Sequence, residues 1–158
     1  MEAQERFVAS RMNYIDSSGI RKVFNLAAKM KNPVNLSIGQ PDFDTPEPIK
    51  ESAIKAIRDG KNKYTLTQGI PELCEKLLDR FQKKYPQNPP EAVMVTSGTS
   101  GGILLSFMAL INPGDEVLIS DPYFVMYKHL TNLVGGKPVF FNTYPEFRIK
   151  ENEIEKVI

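Results

Sequence analysis

Val93-Met94-Val95-Thr96-Ser97-Gly98-Thr99-Ser100-Gly101-Gly102 decides the reading of this chain. A strand-like run, Ala92 to Thr96, passes through small residues into Ile103–Ile111, which is apolar almost all round and reads as a helix buried on most sides. The first N–H groups of a helix have no partner inside it, and they carry partial positive charge. A phosphate fits there if the side chains let it approach the backbone. Gly98 permits that approach, and Thr99 and Ser100 add hydroxyl donors. Ligands of open parallel sheets also bind beyond the carboxyl ends of the strands, where such a loop lies. The same residues read equally well as a tight turn that caps a helix, so the loop alone leaves both open. It is not a Walker loop, because no Gly-Lys-Ser/Thr follows, and Gly98-x-x-Gly101-Gly102 lacks the spacing of a dinucleotide fingerprint.

Downstream, Asn112-Pro113-Gly114-Asp115 turns the chain, Glu116 to Ser120 is a second strand, and Asp121-Pro122 breaks it. Tyr123 to Val134 reads as a helix closed by Gly135-Gly136, Lys137 to Asn142 as a third strand, and Glu151 begins another helix. Strand, helix, strand, helix, strand at this spacing predicts parallel βαβ units and an α/β fold. Upstream, Pro71 opens a helix with Cys74, Leu77, Leu78 and Phe81 on one stripe. Before it, residues 62–70 form a loop containing Tyr64 and Gly69. An earlier helix carries the apolar stripe Ile49, Ala53, Ala56 and Ile57, with Thr45 as its cap, Pro46 at its first position and Gly60 as its stop. Ser18 to Met30 is helical, with Ile20, Phe24 and Ala27 on one stripe, and residues 1–17 read as a flexible polar arm.

Composition narrows the function class. The chain has 158 residues, 41% hydrophobic and 25% charged, with a formal net charge of +1. Those values fit a globular protein and give no field that points to nucleic acid or an anionic membrane. Cys74 is the single cysteine, which forbids an internal disulfide and reads as a packed thiol in a reducing compartment, by default the cytoplasm. No apolar run approaches the ~20 residues that span a bilayer. His129, the only histidine, reads as an ordinary helix residue, and no metal site is assigned.

The order of segments carries more than any one of them. Residues 35–46, NLSIGQPDFDTP, resemble the opening segment of class I/II aminotransferases of fold type I, the aspartate aminotransferase superfamily that uses pyridoxal 5'-phosphate. Residues 64–73, YTLTQGIPEL, resemble that family's tyrosine loop and following helix, and Val95 to Gly102 its phosphate cup. Asn112 to Val117, then Asp121-Pro122-Tyr123-Phe124, are similar to its next turn, strand and aromatic position. The resemblance implies an N-terminal arm and opening segment of the small domain over residues 1–45. Residues 46–158 would then be the first part of a large cofactor-binding domain, a parallel βαβαβ layer with flanking helices and an incomplete sheet.

The resemblance also implies roles. Gly98, Thr99 and Ser100 match the phosphate-binding positions, and Phe124 the aromatic that stacks on the pyridine ring. Tyr64 matches the tyrosine whose hydroxyl reaches the cofactor of the partner subunit, which implies a homodimer. Gly39 matches a glycine against the substrate carboxylate. By their residue types alone, Phe124 also reads as a core aromatic, Tyr64 as a surface tyrosine and Gly39 as a turn glycine. The Schiff-base lysine, the aspartate for the pyridine nitrogen and the later arginines are expected beyond Ile158, so no catalytic residue is assigned in this chain. The activity implied is transfer of an amino group between an amino acid and a 2-oxo acid. A carbon–sulfur or cyclising lyase of the same fold, and a truncated non-catalytic binding module, remain the alternatives. The 158 residues by themselves are expected to be inactive. They are also expected to be unstable, because later strands of this fold separate the strand before the cup from the next two, which leaves strand edges unpaired and the apolar helix Ile103–Ile111 poorly covered.

Overall fold

The computed structural model describes residues 7–15, 19–34, 39 and 41–158, with the backbone alone for 20–22 and 24. Part of the opening segment (35–38 and 40) and the side chains of Ile20 and Phe24 in the first stripe lie outside the described residues. A 3-10 turn, Ser10–Tyr14, precedes six helices: α1 (Gly19–Ala27), α2 (Glu47–Arg58), α3 (Pro71–Lys84), α4 (Gly98–Leu110), α5 (Met126–Leu133) and α6 (Glu151–Glu155). The strands are β1 (Glu116–Asp121) and β2 (Lys137–Asn142). The chain divides into two units, one of Met1–Met30 with Ser97–Ile158 and one of Lys31–Thr96.

The first unit is built on a βα-β crossover. β1 and β2 pair in parallel, in register from Glu116↔Lys137 to Asp121↔Asn142, with α5 between them in sequence. Parallel pairing demands such a crossover because the chain must return to the same end of the sheet. α5 packs on both strands and on α4. The core lies at that junction: Ile119, Leu130 and Phe141 are the buried hydrophobics, and Thr131 is wholly enclosed with its hydroxyl donating to the Tyr127 carbonyl at 2.8 Å. Thr143 closes the end of the sheet, its N–H and its hydroxyl both donating to the Asp121 carbonyl, at 3.0 and 2.7 Å.

The turn before β1 is pinned to the turn before β2. Gly114 N–H donates to the Gly135 carbonyl and Lys137 N–H to the Asp115 carbonyl, both at 2.8 Å, while the Asp115 carboxylate accepts from Asn112 N–H at 2.7 Å. Gly136 sits where these segments meet. A Cβ there would stand 3.1 Å from Ile111 Cγ2, 3.1 Å from Thr131 Cγ2 and 3.3 Å from the Asp115 carbonyl oxygen. Gly136→Ala is therefore expected to destabilise the protein by about 1–3 kcal/mol, the usual cost of overpacking. In the full-length gene product, a denaturant midpoint that does not fall would contradict this.

Several expectations are corrected. Residues 92–96 enter no strand ladder; the Val95 N–H donates instead to the Gln68 carbonyl at 2.8 Å. Helix α5 starts at Met126 rather than Tyr123, because Tyr123 turns aside to stack on Phe140 of β2 at 4.8 Å. The arm is ordered at Ser10–Tyr14, which packs on α5 and receives a bond from Asn132 Nδ2 to the Tyr14 carbonyl at 3.2 Å. α4 is not buried on most sides, as its apolar pattern alone reads, but poorly covered, as the incomplete sheet implies: no residue in it is buried, and Leu105, Met108 and Leu110 are 48%, 66% and 74% exposed. α5 packs on α4, but neither strand does.

In the second unit, α3 begins at Pro71 as its sequence predicts, and its stripe Cys74, Leu77, Leu78 and Phe81 is half-buried. α2 departs from expectation. Its stripe is open, with Ile49 and Ile57 exposed, since no other helix or strand packs against α2 among the described residues. Pro46 rather than Thr45 is its N-cap, and the Asp44 carboxylate accepts the Thr45 N–H at 2.7 Å.

Lys50 reaches back to Asp44 and, with the Thr45 amide, holds that carboxyl below its ordinary value of 3.8. A depressed carboxyl contributes stability above its unfolded value and loses it as pH falls through the folded one. The start of α2 is thus expected to loosen only below about pH 3.8, and Lys50→Ala to bring the Asp44 titration back toward 3.8 in a carboxyl NMR series. An unchanged Asp44 titration in the variant would contradict the pairing.

Candidate functional site

The segment singled out by sequence is the N-terminus of α4. Ser97 stands at its N-cap and makes no side-chain capping bond. Gly98 is the first helical residue and has φ +66°, a left-handed conformation that disfavours any side chain. A Cβ built on Gly98 would meet nothing within 4 Å, so the space in front of this backbone is open. Thr99 is exposed and Ser100 half-buried at the same turn. A helix start without a Ser97 side-chain cap, a glycine with open space before it and two hydroxyls fit a phosphate monoester. No acidic side chain lies in the first turn of α4 to repel one.

Phe124 belongs to the same unit, in the connection from β1 to α5. It is 49% exposed, and the Tyr127 ring lies 5.9 Å away at 80°. Its neighbour Tyr123 stacks instead on Phe140 of β2. Tyr127 is not among the residues the sequence singles out, although its spacing of three residues from Phe124 across a helix start is a signal for it.

Tyr64 and Gly39 lie in the other unit. Tyr64 is 107% exposed, and Gly39 has nothing within 4 Å of a built Cβ. His129 is buried in the core with Nδ1 lacking a hydrogen-bond partner, so it is a packed residue of α5. Cys74 is half-buried and its thiol lies 3.4 Å from the Gln68 carbonyl. Among the described residues no group of three or more His, Cys, Asp or Glu could hold a metal ion, and no helix is long and apolar enough to cross a membrane.

Residues 31–158 match the sequence model of the family described as aminotransferase class I and II. The chain belongs to that family. An aspartate aminotransferase of Pyrococcus abyssi is 39% identical over 155 residues, covering 96% of this chain and 40% of that protein. An aromatic-amino-acid aminotransferase 2 of Thermococcus litoralis is also 39% identical, with the same coverage. Among solved structures, an aspartate aminotransferase of Thermotoga maritima superposes with a TM-score of 0.84 at 32% identity, covering 96% of this chain and 42% of that one. The chain thus spans about 40% of the length of the curated relatives it matches. The likeness places the α/β arrangement described above within the aminotransferase fold.

Proposed function

We propose that this chain is the phosphate-binding part of a pyridoxal-phosphate-dependent aminotransferase, which moves an amino group between an amino acid and a 2-oxo acid. The observation that carries the proposal is Gly98 at φ +66° with open space before it, at the start of α4 in a chain of this family. Relatives described as aspartate and aromatic-amino-acid aminotransferases support the reaction class.

In this reading the amides and hydroxyls of Gly98, Thr99 and Ser100 hold the phosphate. Fixed helical amides suit a dianion because they need not reorganise when it arrives. Phe124 covers one face of the pyridine ring and, lacking a polar tip, fixes its plane and excludes water without donating a hydrogen bond. Pyridoxal phosphate, when bound, supplies an electron sink for the pair left at the substrate's α-carbon. Tyr64, wholly exposed, donates its hydroxyl to the phosphate held by a second copy of the chain, which makes the working unit a homodimer. Gly39 leaves room for the substrate carboxylate. These residues bind and orient; none is positioned to move the α-proton. The single thiol is compatible with residence in the cytoplasm.

The test is to add pyridoxal phosphate to the full-length gene product and look for a visible absorption band that borohydride bleaches. Products from single amino acids with 2-oxo acid acceptors are then analysed. Stoichiometric exchange of amine for oxo acid is expected. Folded protein that gives no such band would overturn the proposal, and release of ammonia or thiol without an acceptor would replace the transaminase by a lyase.

A further inference from the structure

Gly69 is a loop glycine whose conformation and surroundings both forbid a side chain. Its φ is +117°, and a Cβ built there would stand 2.9 Å from Val95 Cγ2, 3.1 Å from Val95 Cβ and 3.2 Å from Cys74 Sγ. The carbonyl just before it, that of Gln68, accepts the Val95 N–H at 2.8 Å and faces the Cys74 thiol at 3.4 Å. One peptide unit therefore joins three segments: the loop of Tyr64, the extended run 92–96 and helix α3. All of these residues lie in one unit. The run 92–96 enters no strand ladder among the described residues. The loop end is closed by a turn, with Gly69 N–H donating to the Leu66 carbonyl at 3.0 Å.

We propose that this Gln68–Gly69–Val95 clamp positions the cofactor sites, with Gly69 a positioning residue that ties the Tyr64 loop to the segment leading into the phosphate loop. Val95 precedes Gly98 by three residues, and Tyr64 precedes Gly69 by five. A shift at either end of the clamp passes along a short stretch of backbone to the other. The inference rests on the proposed cofactor role. If Tyr64 serves the partner's cofactor and Gly98 its own chain's, the clamp couples the two sites of a dimer, so that filling one orders the other.

Cys74, packed on the clamp, reports on it. In the full-length gene product, its labelling by a thiol reagent is followed by peptide mass spectrometry with and without pyridoxal phosphate, beside cofactor affinity by equilibrium dialysis. Binding is expected to slow Cys74 labelling about fivefold, the low end of site-to-site couplings. Gly69→Ala is expected to weaken cofactor binding about tenfold, since one forbidden backbone conformation is a substantial strain, and to abolish the protection of Cys74. Val95→Ala, which removes the facing methyls without backbone strain, should shift both readouts in the same direction by less, and it decides the matter should Gly69→Ala not fold. Tyr64→Phe should reduce the protection while leaving the clamp's contacts intact. Folded variants with wild-type affinity and wild-type protection would overturn the inference, as would wild-type binding that leaves Cys74 labelling unchanged. Wild-type protein that binds no pyridoxal phosphate would instead overturn the proposed function, and this inference with it.

Discussion

Gly98→Val is expected to raise the dissociation constant for pyridoxal phosphate by about 100-fold, because two charge-assisted hydrogen bonds at about 1.5–3 kcal/mol each would be lost or bent. Two effects act together. A side chain at φ +66° strains the backbone by about 1–2 kcal/mol, which tends to pull the first turn of α4 out of shape. Valine also places its methyls in the open space before the helix, where the protein itself offers no obstacle. Gly60 provides the control: it has φ +74° and equally open surroundings, so Gly60→Val repeats the strain far from the phosphate loop in sequence. Equilibrium dialysis on folded full-length variants should show the large loss for Gly98→Val and little change for Gly60→Val. Equal affinities in the two variants would mean that Gly98 is only a turn residue.

The second large effect concerns the 158-residue polypeptide by itself. It is expected to form soluble aggregates, bind hydrophobic dyes and melt without a sharp transition. Leu105, Met108 and Leu110 present an apolar helix surface to solvent, and the two-stranded sheet leaves both outer edges open among the described residues. Exposed apolar surface and unpaired edges both favour self-association. Gln at Leu105, Met108 and Leu110 together should restore a monomer in size-exclusion light scattering without restoring a cooperative melt. A single sharp, monomeric calorimetric transition of the unaltered chain would contradict this expectation.

How much of this was legible in the sequence depended on whether local residues or distant partners set the outcome. Pro71 fixes the start of α3 through its own ring, and the stripe Cys74, Leu77, Leu78 and Phe81 follows the helical period, so both were readable. The β1–α5–β2 order was also readable from apolar runs and the Gly135-Gly136 stop. Burial was not. Ile49 and Ile57 in α2 and Leu105 and Met108 in α4 have the right pattern for a core, but pattern names a face without supplying what covers it. The start of α5 was misplaced because Tyr123 prefers a ring across the sheet, Phe140, to a helical turn. At the phosphate loop, the small residues were visible in the sequence, whereas the left-handed Gly98 and the missing Ser97 cap are features of the backbone. Gly69 reads in the sequence only as part of a loop, since its contacts with Val95 lie 26 residues along the chain.

The most direct test compares pyridoxal phosphate with pyridoxal, which has the same ring and no phosphate, in the full-length gene product and in its Thr99→Ala/Ser100→Ala variant. Strong preference for the phosphate ester is predicted in the unaltered protein, and a preference reduced about tenfold or more in the variant, as two hydrogen bonds to a charged group are removed. Equal affinity for the two vitamers, or a preference that survives in the variant unchanged, would contradict the assignment of the α4 N-terminus to the phosphate.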